Sequence, residues 1–339
     1  MRIVHKKLKR ENTVNTSGDN KRLIGRIPIL KDNHYRIIKG ISVGGDAPKD
    51  LLRVYEYKSG KKQIDKPSKW PIYIAKTGHK WYPHESITEF LLNRLGYCLD
   101  LNMAESKLYF VNGQIRFFSK LFRHDKHQLL EHGAELYWGY LGDRDFVEQV
   151  EADQRAREFF TISFTHETLK YIYPHQGEDI FIEFTKMLVF DAIIGNNDRH
   201  FYNWGVLKHL GNKHQPIFSP IYDTARALFW NRSEEHIKNI SKDSNQMNQM
   251  LNNYIIRSRP KIGIEKKSDC NHFDIVKILY SNKFEGTKDV VNGLINTGNL
   301  KRCKELIYDE FQPLLSPVRV ELVVKCISLR FEYLFKEIK

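Results

Sequence analysis

The chain has 339 residues, 41% hydrophobic and 28% charged, with 20 Gly and 11 Pro; this suits one large domain or two lobes and excludes disordered, collagen-like and coiled-coil classes. The net charge of +13 lies wholly in the first quarter, where residues 1–80 hold 20 Lys plus Arg against 7 Asp plus Glu, while residues 81–339 hold 34 of each. No window approaches 18 uninterrupted apolar residues, and Met1-Arg2-Ile3-Val4-His5-Lys6-Lys7 turns polar too early for a secretory segment, so a soluble protein with no transmembrane segment is expected.

Four scattered cysteines without a C-x-x-C fit a reducing compartment and speak against zinc. The basic quarter would suit nucleic acid, an anionic surface, an acidic protein or a polyphosphate, and equally a solvated basic face.

In chain order, residues 1–22 are polar and basic and read as a mobile arm. Short β-rich runs follow at Ile24 to Leu30, Tyr35 to Ser42, Leu51 to Tyr57 and Pro71 to Lys76. From His84 to Leu95 the spacing of Ile87, Leu91 and Leu95 predicts a helix, with Gly96 as its stop. Strands Lys107 to Val111 and Gln114 to Ser119 meet at Asn112-Gly113, a hairpin signal. After residue 145 the period becomes helical. Residues 178–194 are apolar almost all round, as in a buried helix, and helical patterns run from about 234 to the end. The outline is α+β: a small β-rich N-lobe over 23–122 and a larger, mainly helical C-lobe over 123–339, with ligand sites expected at their junction.

Chemistry concentrates where the buried helix ends. Asp198 and Asn203 lie five apart in a polar loop, an arrangement in which the Asp accepts the proton of an attacking hydroxyl and the Asn oxygen binds magnesium. Asp191 and Asn196 share that spacing but lie largely inside the apolar helix. A turn whose Asx side chains satisfy the local backbone would look the same. Asp223, in Phe218-Ser219-Pro220-Ile221-Tyr222-Asp223-Thr224, lies one hairpin beyond Asn203 and supplies the second carboxylate that a metal-bound phosphate needs.

Upstream, Ser42-Val43-Gly44-Gly45-Asp46-Ala47-Pro48-Lys49 can bring backbone N–H groups close to phosphates, though a plain hairpin turn has similar composition. Lys76 ends the apolar strand Ile72-Tyr73-Ile74-Ala75, where a phosphate-binding lysine is held by a helical glutamate. Glu85 and Glu89, four apart on the next helix, share a face and both qualify.

This order of glycine loop, strand lysine, helix glutamate, Asp-x-x-x-x-Asn and distal Asp resembles the HipA-like family of bacterial serine/threonine kinases, over residues 37–230. The resemblance implies a bilobal protein-kinase-like fold and use of ATP and Mg2+. It makes Asp198 the catalytic aspartate, with Asn203 and Asp223 as metal ligands. Nucleotide binding would fall to Gly44, Gly45, Asp46, Ala47, Pro48, Lys49, Lys76, the hinge Lys120, Leu121 and Phe122, and also His200 and Tyr222. Glu85 falls on the paired glutamate better than Glu89, and Ser42 on an autophosphorylated serine. By the same resemblance the substrate is a protein, such as a translation factor or aminoacyl-tRNA synthetase, and the location cytoplasmic, with a toxin or a secreted effector as roles to consider. Only some 40 residues precede the phosphate loop, as in short stand-alone members, which leaves an antitoxin partner in doubt. Competing readings are a lipid or small-molecule kinase, and a catalytically dead basic scaffold or nucleic-acid-binding protein.

Overall fold

The computed structural model describes residues 2–9, 25–40, 49–57, 64–78, 84–123, 127–211 and 214–339. Ser42, Gly44, Gly45, Asp46, Ala47 and Pro48 of the expected phosphate loop lie outside the described residues.

Six strands form one antiparallel sheet in the order β1-β2-β3-β4-β6-β5. They are β1 (Arg2–Val4), β2 (Tyr35–Lys39), β3 (Lys49–Val54), β4 (Ile72–Thr77), β5 (Ser106–Val111) and β6 (Gln114–Lys120). The hairpin between β5 and β6 turns at Asn112-Gly113, both with positive φ, as the dipeptide predicts. Side chains alternate across β4: Tyr73 and Ala75 join an outer cluster with Leu8, Tyr35, Leu52, Val54 and Phe118. Lys76 is therefore on the opposite face, against helix α1 (Glu85–Cys98), whose Ile87, Leu91, Leu92 and Leu95 enter the main core.

Three expectations need correction here. Residues 2–9 are not a mobile arm: β1 pairs with β2 in the register Ile3↔Ile38, and Leu8 is buried beneath the sheet. The Leu8 N–H donates to Tyr35 Oη at 3.0 Å, and its carbonyl accepts from Asn112 Nδ2 at 2.7 Å. One apolar anchor and a backbone ladder outweigh a polar composition. Second, the run ending at Leu30 is not a strand; Ile29 makes a single parallel bridge to Phe110, because Pro28 has no N–H to extend a ladder. Third, α1 does not stop at Gly96 but continues to Cys98. Gly96 lets the Met103 side chain lie close against the helix, and a larger residue there would make that side chain shift.

The rest of the chain is mainly helical: α2 (Gly133–Leu141), α3 (Arg144–Ala152), α4 (Ala156–Phe159), α5 (Ile162–Ile172), α6 (Gly177–Ile194), α7 (Glu234–Ile240), α8 (Ser244–Arg257), α9 (His272–Tyr280), α10 (Thr287–Leu294), α11 (Thr297–Leu306) and α12 (Pro317–Glu337). Helix α6 is the hub. It packs against α5, α9, α10 and α12, which is why its apolar residues run all round. Phe181, Phe184 and Phe190 are fully buried, and each contributes about 1.5–3 kcal/mol of transfer free energy to fixing the helix. A small antiparallel sheet, β7 (Gln128–His132), β8 (Gly205–His209) and β9 (Ile217–Phe218), lies at its end. Strand β8 begins only at Gly205, because the loop after α6 continues through Trp204.

Candidate active site

The site begins where α6 stops. Gly195 takes φ of +71°, and its N–H and that of Asn196 both donate to the Asp191 carbonyl, at 2.8 and 3.0 Å. A side chain at this left-handed position would also press on Tyr254 and Arg330. The loop that follows is held by side chains rather than by a ladder. Asn196 donates from Nδ2 to Asp191 Oδ1 at 2.8 Å and accepts the Asp198 N–H at 3.1 Å.

Arg199 is the centre of that loop. Its Nε donates to Asp191 Oδ2 at 2.9 Å, its Nη1 to the carbonyls of Asn203 and Tyr222 at 2.8 and 2.7 Å, and its Nη2 to Thr224 Oγ1 at 3.0 Å. One buried guanidinium thus ties helix α6, the Asp198 loop and the Asp223 segment together. Asp191, which shares with Asn196 the spacing of the Asp198–Asn203 pair, is its anchor, and Asn196 braces that carboxylate. Asp198 itself stays at the surface of the cleft, with Arg226 Nε 3.3 Å from its Oδ2. Asn203 Nδ2 donates to the Asp198 carbonyl at 2.8 Å, so its side-chain oxygen is the atom left for a cation.

Across the cleft, Lys76 Nζ donates to Glu89 Oε1 at 2.6 Å and to Asp223 Oδ1 at 2.7 Å. Lys49 Nζ lies 3.9 Å from Asp223 Oδ2. The glutamate that pairs with Lys76 is therefore Glu89, which corrects the expectation of Glu85. Both are buried, and it is the second turn of α1, not the first, that meets the lysine.

Burial pushes the Glu89 carboxyl up, to about 7, against the pull of Lys76 and with the help of the Asp223 charge. Burial likewise opposes ionisation of Asp223, but Lys76 and then Lys49 outweigh it and hold this carboxyl well below the usual range. Lys76 is raised above its ordinary value: burial disfavours its charge, and the two carboxylates more than compensate.

Tyr222 and Phe122 meet with ring centroids 5.6 Å apart, and Tyr222 Oη bonds to His132 Nδ1 at 2.8 Å and donates to the Tyr202 carbonyl at 3.2 Å. The Leu121 N–H donates to the Ile72 carbonyl at 2.8 Å, and Lys120 Nζ donates to Glu105 at 2.5 Å. His200 packs against Tyr202 at 6.0 Å, with its backbone N–H on the Asp198 carbonyl. The site thus gathers Lys76, Asp223 and Lys49 in one cluster, Asp198 and Asn203 in one loop, and Phe122 beside Tyr222. Glu89, Arg199, Arg226 and His132 were missed by sequence reasoning, or in the case of Glu89 passed over. Arg199 and Arg226 each stand one to three residues from a motif carboxylate, but burial and direction, which decide their roles, leave no mark in the sequence.

No curated protein matches the chain. Among solved structures, the proinflammatory kinase CtkA of Helicobacter pylori superimposes with a TM-score of 0.64 at 14% identity, covering 85% of this chain and 94% of that one. HipA of Shewanella oneidensis MR-1, solved with HipB and operator DNA, gives 0.51 at 12% identity, covering 98% of this chain and 73% of that one. At such identities the likeness shows the fold, a bilobal kinase-like one. The HipA-like C-terminal domain family matches residues 41–276, which hold every element of the site from Lys49 to Asp223, and the chain belongs to that HipA-like family.

Proposed function

We propose that the protein is an ATP-dependent protein serine/threonine kinase of HipA-like type. Family and fold support a kinase-type function. The observation that carries the finer reading is the convergence on one cleft of Lys76, held between Glu89 and Asp223, and of a loop in which Asp198 and Asn203 are fixed by Arg199.

In this reading Lys76 and Lys49 bind the phosphates, and Glu89 keeps Lys76 aimed at them. The donor set fits magnesium: Asn203 offers an unbonded amide oxygen and Asp223 a part-exposed carboxylate, with nucleotide oxygens and water left to complete the shell. When bound, the ion would neutralise charge on the transferring phosphoryl group. Asp198 accepts the proton of a protein hydroxyl, and Arg226 beside it offers positive charge where negative charge develops. Phe122, Tyr222 and His200 line the base side, with Leu121 at the hinge. Residues 123–339 act as the helical lobe and the sheet region before them as the nucleotide lobe. The charge excess of residues 1–80 would suit nucleic acid, an anionic surface or an acidic protein; the Shewanella HipA was solved with HipB and operator DNA.

The test is incubation of the purified protein with γ-labelled ATP and magnesium, with and without lysate. Label on serine or threonine of a protein, absent with Asp198→Ala, is the expected result. Label in lipid would move the assignment to a related lipid kinase, and failure to bind magnesium-ATP would leave a scaffold. Autophosphorylation belongs to the same proposal: mass spectrometry should find phosphate on Ser42 only when Asp198 is present, and an active enzyme with unmodified Ser42 sinks that part.

A further inference from the structure

Helix α1, which carries Glu89, is fastened to the C-terminal helices. Arg94 reaches Glu310 through Nε at 2.8 Å and Nη2 at 2.7 Å, and the Phe90 and Phe311 rings are 5.8 Å apart. Arg302 of α11 reaches Asp100, just past the end of α1, through Nη1 at 2.8 Å and Nη2 at 3.2 Å. Two cysteines flank this last pair. Cys98 is the final residue of α1, Cys303 follows Arg302 on α11, and the two helices pack directly. The two thiols therefore face the same helix contact, close enough for each to act on the ionisation of the other.

The two sulfurs differ in a useful way. Cys98 is partly exposed, whereas Cys303 is buried. The neighbouring Cys303 outweighs burial and, with the Arg302 charge, brings the Cys98 thiol down to about 7, while Cys303 is held up by Cys98 and by burial. An accessible thiol of lowered pKa beside a cation, with a second thiol in reach, is the arrangement of a reactive cysteine with a resolving partner. Burial pushes Cys326 up to about 12 against the pull of Arg330, and Cys270 contacts the Ile262 carbonyl at 3.7 Å.

We propose that Cys98 and Cys303 are a peroxide-oxidisable dithiol whose disulfide covalently ties the Glu89 helix to the C-terminal helices. The Cys98 thiolate attacks one peroxide oxygen, the O–O bond breaks, and with one proton water leaves and Cys98 becomes a sulfenic acid. Cys303 then attacks that sulfur, the S–OH bond breaks, its hydroxide leaves with the Cys303 proton as a second water, and the disulfide forms. Two thiols are oxidised and one hydroperoxide is reduced. This inference is independent of the kinase reading.

The experiment uses full-length wild-type protein treated with hydrogen peroxide, then unfolded, alkylated and digested without reductant. Expected is a peptide spanning 95–107 joined to one containing Cys303, lighter by two hydrogen atoms than their sum and released by dithiothreitol. Before oxidation, Cys98 should react with iodoacetamide at least roughly tenfold faster than Cys270 in the folded protein. Hydrogen exchange across 85–98 should slow in the oxidised form. Cys98→Ala should abolish the crosslink and leave Cys270 and Cys326 reduced; the wild-type measurements stand even if that variant folds poorly. Sulfinic acid on Cys98 with Cys303 still free, or no joined peptide, would overturn the proposal. A joined peptide with unchanged exchange over 85–98 would overturn the tether.

Discussion

Arg199 and Asp191, eight residues apart, form an ion pair at 2.9 Å in which each side chain is only 2% exposed. A buried pair is weak evidence for stability as such, because desolvation offsets much of the attraction, but removing one partner strands the other charge. Loss of the guanidinium would also release the Asn203 and Tyr222 carbonyls. Arg199→Ala should cost about 3–5 kcal/mol of folding stability in urea denaturation. A loss below about 1 kcal/mol would mean that water or another group replaces the guanidinium.

Asp198 is a half-buried loop residue outside the apolar core, so Asp198→Ala should leave the unfolding midpoint nearly unchanged and lower phosphotransfer by about 10²–10⁴-fold. Arg226→Ala should lower it less, by about tenfold, and Arg226→Lys should recover part of the loss. A folded Asp198 variant with normal turnover removes the residue from its role.

Glu89→Gln and Glu85→Gln distinguish the two helix carboxylates. Only Glu89 contacts Lys76, through a charged hydrogen bond of about 1.5–3 kcal/mol. Its loss should weaken ATP handling by about 10–100-fold, read as kcat/KM for ATP, and the Glu85 variant should lose less. The reverse ranking would restore Glu85.

The same pair sets a pH dependence. Glu89 is pushed up to about 7 in the folded state, against roughly 4.3 unfolded. A carboxyl raised on folding contributes stability fully below its unfolded value, and that contribution disappears as pH rises through the folded value. Asp223, held low, contributes in the opposite sense, with stability lost only in strong acid. Denaturant midpoints from pH 5 to 8 should therefore fall more steeply for wild type than for Glu89→Gln. Identical slopes would show that Glu89 ionises normally.

Metal dependence separates Asn203 and Asp223 from the base. Asn203→Ala and Asp223→Ala should weaken magnesium-dependent nucleotide binding in calorimetry while Asp198→Ala leaves it near normal. Equal magnesium-ATP affinity in the Asp223 variant would remove its metal role.

Local chemistry made much of this molecule legible from sequence. Asn112-Gly113 has one favourable way to join two strands, and an all-round apolar run such as 178–194 has nowhere to lie but inside. Gly195 at the end of that run marks where the polar loop must start, which singled out Asp198 and Asn203 over Asp191 and Asn196. Other features depend on how distant elements meet. Glu85 and Glu89 are one turn apart and chemically identical, and only the packing of α1 against β4 chose between them. Arg199 became a buried hub because groups up to 25 residues away from it in the chain converge on its guanidinium. Leu8 anchors a segment whose composition reads as solvated, because burial is a property of the assembled sheet. Periodicity and turn chemistry act over a few residues and are written in the chain; register, burial and ion pairing arise only when the two lobes pack, and these decided the site.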